Sequence, residues 1–117
     1  MSTGVKKLQQ EYIFLMKNDV LSSIGVYGYV RPVGNDFLHW YGSIDGPKNT
    51  PYENGTYFFE MKFTNDYPNK GPIDVRMKTP TYHENISNSN GHICASYFQV
   101  GKIHMMLLVL YIQFLNY

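Results

Sequence analysis

The sequence predicts an α+β domain in which a helix precedes an antiparallel sheet and a second, buried helix follows it. Three observations support this fold class. Apolar residues recur at helical spacing near the start, four short segments rich in β-branched and aromatic residues follow, and an apolar helical segment comes last. A chain of 117 residues suits one hydrophobic core, so residues 1–117 are interpreted as a single domain.

The first element is predicted to be an amphipathic helix over residues 5–20. Its apolar face repeats at steps of three and four residues and consists of Val5, Leu8, Tyr12, Leu15 and Met16. Its polar face consists of Lys6, Lys7, Gln10, Glu11 and Lys17. Ser2 or Thr3 is the candidate N-cap, because a hydroxyl can accept from the N–H groups that a helix start leaves unpaired.

Four short segments then predict strands, because β-branched and aromatic residues fit a pleated, half-buried surface. They cover residues 23–31, 37–44, 56–63 and 75–78. The connections RPVGND, DGPKNTPYENG and TNDYPNKGP are rich in the Gly, Pro, Asn and Asp of tight turns. Because tight turns join neighbouring strands, the four segments are predicted to form an antiparallel meander.

A long irregular segment, residues 81–98, contains Cys94, the one cysteine of the sequence. The segment is polar and fits neither a helix nor a strand pattern. Because unreactive cysteines are usually buried in apolar surroundings, a chemical role is predicted for Cys94. Residues 103–115 follow and are apolar nearly all round, which predicts a buried helix.

The composition excludes several functional classes. Ten Lys and Arg residues nearly balance nine Asp and Glu residues, which is too neutral for a protein that binds nucleic-acid phosphates. One cysteine excludes an internal disulfide framework and a zinc site of several thiolates. The longest apolar run, residues 105–112, is too short to span a bilayer, and the first residues lack a secretory h-region. We therefore expect a cytoplasmic or nuclear protein that binds neither nucleic acid nor membrane.

Several short motifs occur in a defined order. The first are Trp40 in a predicted strand, Gly46-Pro47, and Pro51-Tyr52-Glu53-Asn54-Gly55. The last are Tyr67-Pro68 followed by Pro72, and His83-Glu84-Asn85 followed by Gly91-His92-Ile93-Cys94. In this order they resemble the ubiquitin-conjugating enzyme (UBC) family over most of the chain. The resemblance implies a UBC fold that holds the predicted helix, four-stranded sheet, active-site loop and central helix but lacks the family's last two helices.

The resemblance implies an acyl-transfer mechanism. Cys94 would be the nucleophile that accepts ubiquitin, or a ubiquitin-like modifier, as a thioester and transfers it to a lysine amine. Asn85 matches the family asparagine that stabilises the oxyanion or orders the loop beside the nucleophile. His83 and Tyr82 would shape that loop, and Gly91 would relieve crowding next to the nucleophile.

The resemblance also implies protein partners. Lys6 and Lys7 lie on the helix through which the family binds its ubiquitin-activating enzyme. Asn69 occupies the corner that faces ubiquitin ligases, where the family usually has an aromatic or aliphatic residue. Ubiquitin or a ubiquitin-like protein is the cargo, and no cofactor is implied because the activating enzyme consumes the ATP.

Departures from the family pattern favour an alternative function. Glu84 replaces the proline of the His-Pro-Asn motif and removes a rigid ring from that turn. Asn69 replaces the apolar residue of the ligase-facing corner, and the Trp and Pro that usually follow the cysteine are missing. These features favour a non-catalytic variant that keeps the fold and binds ubiquitin or another partner.

Two other kinds of site would use the same residues. In an extended segment His92 lies on the same side as Cys94 and could be the base of a Cys/His hydrolase. The sequence offers neither an orienting third group nor an oxyanion pocket for that chemistry. His39, His83, His92 and Cys94 lack the spacing of metal-ligand pairs, so no metal site is predicted.

Overall fold

The computed structural model describes residues 3–117, so Ser2, one of the candidate N-caps, lies outside the described part of the chain. The first helix, α1, spans Thr3–Lys17, and Thr3 is its first residue rather than its cap. The helix ends earlier than predicted because the Asn18 side-chain amide donates to the Phe14 carbonyl oxygen (2.9 Å). That bond occupies an acceptor of the last turn that a further backbone N–H would otherwise use.

Five antiparallel strands form one sheet in the order β1-β2-β3-β4-β5. Their bounds are Gly28–Val33 for β1, Asp36–Asp45 for β2, Thr56–Lys62 for β3, Asp74–Met77 for β4 and His92–Ile93 for β5. Strands β1 to β4 confirm the predicted four-stranded antiparallel meander. Strand β1 begins later than predicted, because Ser22–Ile24 form a 3₁₀ turn that Gly25 closes in the left-handed region (φ 86°).

Strand β5 adds to the predicted sheet. It pairs Ile93 with Val75 and His92 with Arg76, at the edge of β4. Two residues are too few to produce a period-2 pattern in the sequence, so this strand exists only through its pairing with β4. The pairing attaches the segment that contains Cys94 to the sheet.

A row of buried side chains crosses the sheet. Trp40 of β2 lies opposite Met61 of β3, Met61 lies opposite Val75 of β4, and Val75 lies opposite Ile93 of β5. Each of the four is at most 2% exposed. Because directly opposed side chains on one face of a sheet contact each other, the row anchors Ile93, the residue before Cys94, to the centre of the sheet.

Helix α2 spans Ile103–Leu115, the bounds that its apolar pattern predicts. One face joins the core through Ile103, Met106, Leu107, Leu110 and Phe114. The other face is more open, because Met105, Ile112 and Leu115 are each more than a third exposed. The predicted burial of this helix is thus confirmed for one face. The sequence could not show which face this is, because apolar residues occur all round the helix. Between residues 3 and 117, no helix has the length and apolar character needed to cross a membrane.

Glu11 lies in the interior, and its predicted place on the solvent-facing side of α1 is wrong: the residue is 9% exposed. Oε1 accepts from the Ile103 backbone N–H (2.7 Å) and Oε2 accepts from the Tyr67 hydroxyl (2.7 Å). Because Ile103 begins α2, the carboxylate satisfies an N–H that the helix leaves unpaired, at the positive end of the helix dipole. Burial, and then the bond to Glu11, raises the pKa of Tyr67 well above its usual value. The tyrosine therefore remains a hydrogen-bond donor.

Candidate active site

Cys94 lies at the surface between two buried anchors. Ile93, the last residue of β5, is fully buried. Ala95–Phe98 form a single 3₁₀ turn directly after Cys94, and Phe98 is 1% exposed. The thiol is free and exposed. Its backbone is thus held on both sides while its sulfur stays accessible to a large partner.

The thiol has a hydrogen-bond partner in Ser96. The Sγ atom of Cys94 lies 3.0 Å from the Ser96 Oγ atom. The Ser96 hydroxyl, and then the Ser96 backbone N–H, hold the pKa of the Cys94 thiol below its usual value, because both bonds stabilise the thiolate. A lower pKa increases the fraction of thiolate, which is the nucleophilic form of cysteine.

The loop before Cys94 folds back and brings Asn85 toward it. Ile86 and Ile93 form an isolated antiparallel bridge, and Asn85 and Cys94 directly adjoin it, one on each of the two segments. The Ser87 N–H also donates to the His92 carbonyl oxygen (2.9 Å). The two residues that the sequence analysis proposed for catalysis therefore flank the same bridge.

The Asn85 carboxamide is bonded to helix α2. Its Nδ2 atom donates to the Gln113 side-chain Oε1 (3.0 Å), while its backbone N–H donates to His83 Nδ1 (3.0 Å). His83 is 6% exposed, and its Nε2 atom lies 2.6 Å from the Gln113 carbonyl oxygen. Because Nδ1 accepts, the ring proton is on Nε2, which donates to that carbonyl. His83 thus fastens the Asn85 segment to α2, as a loop-shaping residue would.

Tyr82 contributes to the loop through its main chain. Its side chain is 86% exposed, whereas its carbonyl oxygen accepts from the Tyr52 hydroxyl (2.7 Å). The Tyr52 ring stacks on Phe114 of α2 with ring centroids 4.7 Å apart. Tyr52, of the Pro-Tyr motif, therefore connects the main chain of the loop to α2, and the exposed Tyr82 ring takes no part in that contact.

Gly91 relieves crowding at a different place from the one predicted. Its φ of 75° lies in the left-handed region, and a Cβ at this position would collide with the Met77 carbonyl oxygen. That carbonyl belongs to the last residue of β4. The glycine is therefore required for close approach of the loop to the sheet, rather than for space beside the sulfur of Cys94.

The two alternative kinds of site find little support in the geometry. The His92 ring points to Asp74, with Nε2 3.9 Å from Oδ1, and the hydrogen-bond partner of the Cys94 sulfur in the described chain is Ser96. His39 pairs with Glu60 at 2.7 Å, at the face of the sheet. Within residues 3–117, three or more His, Cys, Asp or Glu side chains nowhere gather in a way that could hold a metal ion.

The residues proposed for partner binding lie on other elements. Lys6 is exposed and Lys7 is half-buried on α1, and Asn69 is exposed in the corner after Tyr67-Pro68. The Gln99 side chain connects this corner to the nucleophile: Oε1 accepts from the Gly71 N–H (2.6 Å) and Nε2 donates to the Ala95 carbonyl oxygen (3.0 Å). Ala95 follows Cys94 directly.

Sequence reasoning missed Gln99 and Gln113 as supports of the site. Gln113 carried a usable signal, because it is an amide in a helix of almost entirely apolar residues. A polar side chain in such a helix needs a partner if it is buried. Gln99 carried no such signal, because a glutamine in a polar loop needs no special explanation.

Comparison with known proteins gives one family. The sequence profile of the ubiquitin-conjugating enzyme family matches residues 7–115. The structure of human ubiquitin-conjugating enzyme E2 G1 is similar in fold, with a TM-score of 0.82 at 22% identity over 98% of this chain and 97% of that one. A putative Plasmodium yoelii ubiquitin-conjugating enzyme matches with a TM-score of 0.81 at 26% identity, over 99% of this chain and 75% of that one. The E2 domain of a Toxoplasma gondii ubiquitin-conjugating enzyme matches with a TM-score of 0.76 at 26% identity, over 95% and 74%.

Proposed function

Because the chain belongs to the ubiquitin-conjugating enzyme family, we propose that Cys94 accepts ubiquitin, or a ubiquitin-like modifier, as a thioester and transfers it to a lysine amine. The observation that carries the proposal is the exposed Cys94 thiol beside the Ser96 hydroxyl, held at the end of β5. A carrier that meets two large partners in turn needs an accessible nucleophile on a rigid support.

Loading is a thioester exchange. The Cys94 thiolate attacks the thioester carbonyl of the modifier on the activating enzyme, a new carbon–sulfur bond forms, and the activating enzyme's cysteine leaves as a thiolate. Sulfur suits this reaction because it is both a good attacking group and a good leaving group. The bond from Ser96 to Sγ favours the reactive form before attack.

Transfer is an aminolysis. The lysine nitrogen attacks the carbonyl carbon, and an oxyanion forms. The carbon–sulfur bond then breaks, Cys94 leaves as a thiolate, and the proton that the nitrogen loses passes through solvent to this thiolate. Asn85 supports this step as an oxyanion donor or as a fixed part of the loop. Removal of one oxyanion donor typically costs about 10²–10³ in rate. Asn85→Ala is therefore expected to slow transfer far more than loading.

Partner surfaces follow from the same proposal. Helix α1, with Lys6 and Lys7, would bind the activating enzyme, and the corner at Asn69 would face a ligase. Asn69 presents a polar amide to that partner, so a ligase that requires an apolar contact there would bind weakly.

The test is a loading assay. The folded chain is incubated with activating enzyme, ATP and ubiquitin, and a covalent adduct sensitive to reductant is expected. Cys94→Ala should abolish the adduct. Cys94→Ser is the chemical control, because an adduct on the serine oxygen would be an ester that resists reductant. Absence of an adduct with ubiquitin and with several ubiquitin-like modifiers would overturn the proposal.

A non-catalytic binding module is the second candidate. The replacement of the family's proline by Glu84 favours it, because this change removes a rigid ring from the turn directly before Asn85. A chain that forms no thioester but binds free ubiquitin, with unchanged affinity in Cys94→Ala, would establish this function instead.

A further inference from the structure

We propose that Gln113 of α2 is a positioning residue for the Asn85 carboxamide, and through it for the aminolysis of the thioester on Cys94. The inference rests on the function proposed above and extends it to a residue outside the active-site loop. Gln113 acts on the orientation of the Asn85 amide rather than on the substrate.

The observation is a closed network of three hydrogen bonds. The Gln113 side-chain Oε1 accepts from Asn85 Nδ2 (3.0 Å), and the Gln113 main-chain oxygen accepts from His83 Nε2 (2.6 Å). His83 Nδ1 accepts from the Asn85 N–H (3.0 Å), which closes the network. Gln113 thus binds both His83, which anchors the loop, and the side chain of Asn85.

The side-chain bond selects one of two orientations of the Asn85 amide. The oxygen and the NH₂ group of asparagine have nearly the same shape, so its orientation is decided by its partners. An acceptor at position 113 turns Nδ2 toward α2. One Nδ2 hydrogen is then used by Gln113, and the second remains for another acceptor. A donor that is oriented before the reaction needs no reorganisation when the oxyanion forms.

The two contributions of Gln113 can be separated by mutation. Gln113→Leu removes the side-chain acceptor but keeps the main-chain oxygen that His83 uses, so the loop stays anchored. Leucine is also a good helix former, and the position is only half-buried. Gln113→Glu keeps an acceptor and carries no donor, so it should hold Asn85 in the same orientation.

The first experiment measures single-turnover discharge of the preformed thioester to free lysine. Gln113→Leu should slow discharge by about 2- to 13-fold, the rate equivalent of one ordinary hydrogen bond. Loading by the activating enzyme should change less than twofold. Gln113→Glu should restore discharge relative to Gln113→Leu, and the matched control Ile112→Gln, on the exposed face of α2, should discharge at the wild-type rate.

A double-mutant cycle tests whether Gln113 acts through Asn85. In an Asn85→Ala background, Gln113→Leu should have no further effect on discharge, because the amide that it positions is absent. An equal effect in both backgrounds would overturn the inference. Unchanged discharge in Gln113→Leu would overturn it as well, while normal loading in the same assay leaves the function of Cys94 standing.

A spectroscopic readout keeps the two proposals distinguishable if no thioester forms at all. That outcome would remove the proposed function, whereas the ¹H–¹⁵N resonances of the Asn85 side-chain NH₂ group would still test the positioning. They should shift in Gln113→Leu and stay in place in Ile112→Gln. Unshifted resonances in Gln113→Leu would show that Gln113 does not position the amide.

Discussion

Replacement of Glu11 by leucine should destabilise the domain strongly, although glutamate on a helix surface is usually dispensable. Leucine removes two buried acceptors, one for the Ile103 N–H and one for the Tyr67 hydroxyl, each at 2.7 Å. The tyrosine keeps an alternative acceptor, because the Gly101 carbonyl oxygen lies 3.2 Å from its hydroxyl. The Ile103 N–H, in contrast, is left without its partner at the start of α2.

The magnitude follows from these contacts. An unsatisfied buried N–H costs about 1–3 kcal/mol, and loss of a favourable charge at a helix start costs about 0.3–1 kcal/mol. Glu11→Leu should thus lower the free energy of unfolding by about 1.3–4 kcal/mol. Glu11→Gln should cost only about 1 kcal/mol. Its carbonyl can still accept from Ile103, and its NH₂ group can donate to the Tyr67 oxygen while that hydroxyl donates to Gly101.

The assay is urea denaturation followed by circular dichroism. With an m-value of about 2 kcal/mol/M, unchanged by the mutation, the midpoint for Glu11→Leu should fall by about 0.7–2 M. Gln10→Leu, at the neighbouring exposed position of α1, is the matched control and should change stability by less than about 0.5 kcal/mol. The reasoning would be refuted if Glu11→Leu were as stable as Gln10→Leu. Equal losses in Glu11→Leu and Glu11→Gln would refute the assignment of acceptor roles.

Two further predictions concern the active-site loop. Ser96→Ala should move the pH profile of Cys94 alkylation by iodoacetamide to higher pH, because loss of the hydroxyl raises the pKa of the thiol and lowers the thiolate fraction at neutral pH. The remote Ser23→Ala is the control, and an unchanged profile in Ser96→Ala would contradict the prediction. Gly91→Ala should be more destabilising than Gly34→Ala in thermal unfolding. Both positions have positive φ and share a strain of about 1–2 kcal/mol, but only at Gly91 does a Cβ meet a carbonyl oxygen. Equal losses at the two glycines would show that the Met77 carbonyl moves aside.

Local patterns predicted most of the fold. The apolar run of residues 103–115 gave the bounds of α2, and the segments rich in β-branched and aromatic residues gave strands β1 to β4. These elements follow from residue types and apolar spacing within short stretches of sequence. Strand β5 could not be predicted, because His92 and Ile93 become a strand only when β4 offers them an edge.

Features that depend on distant partners escaped prediction. Glu11 has spacing compatible with the buried face of α1, at i+3 from Leu8, but a charged residue is assigned to solvent unless a partner is known. Its partner, the Ile103 N–H, is 92 positions away. The direction of the Asn85 amide was equally unpredictable, because it depends on how α2 is rotated. Apolar residues all round that helix do not reveal which side Gln113 faces.

The link between Glu11 and Ile103 also bears on how the domain is completed during synthesis. Helix α1 leaves the ribosome long before Ile103 is made, and until then its carboxylate has no backbone N–H to bind in the interior. Burial of that carboxylate with the Tyr67 hydroxyl as its one donor would be costly, so we expect α1 to dock weakly while the sheet assembles. We therefore expect firm docking of α1 only once α2 has formed, so that the domain reaches its full stability late in synthesis.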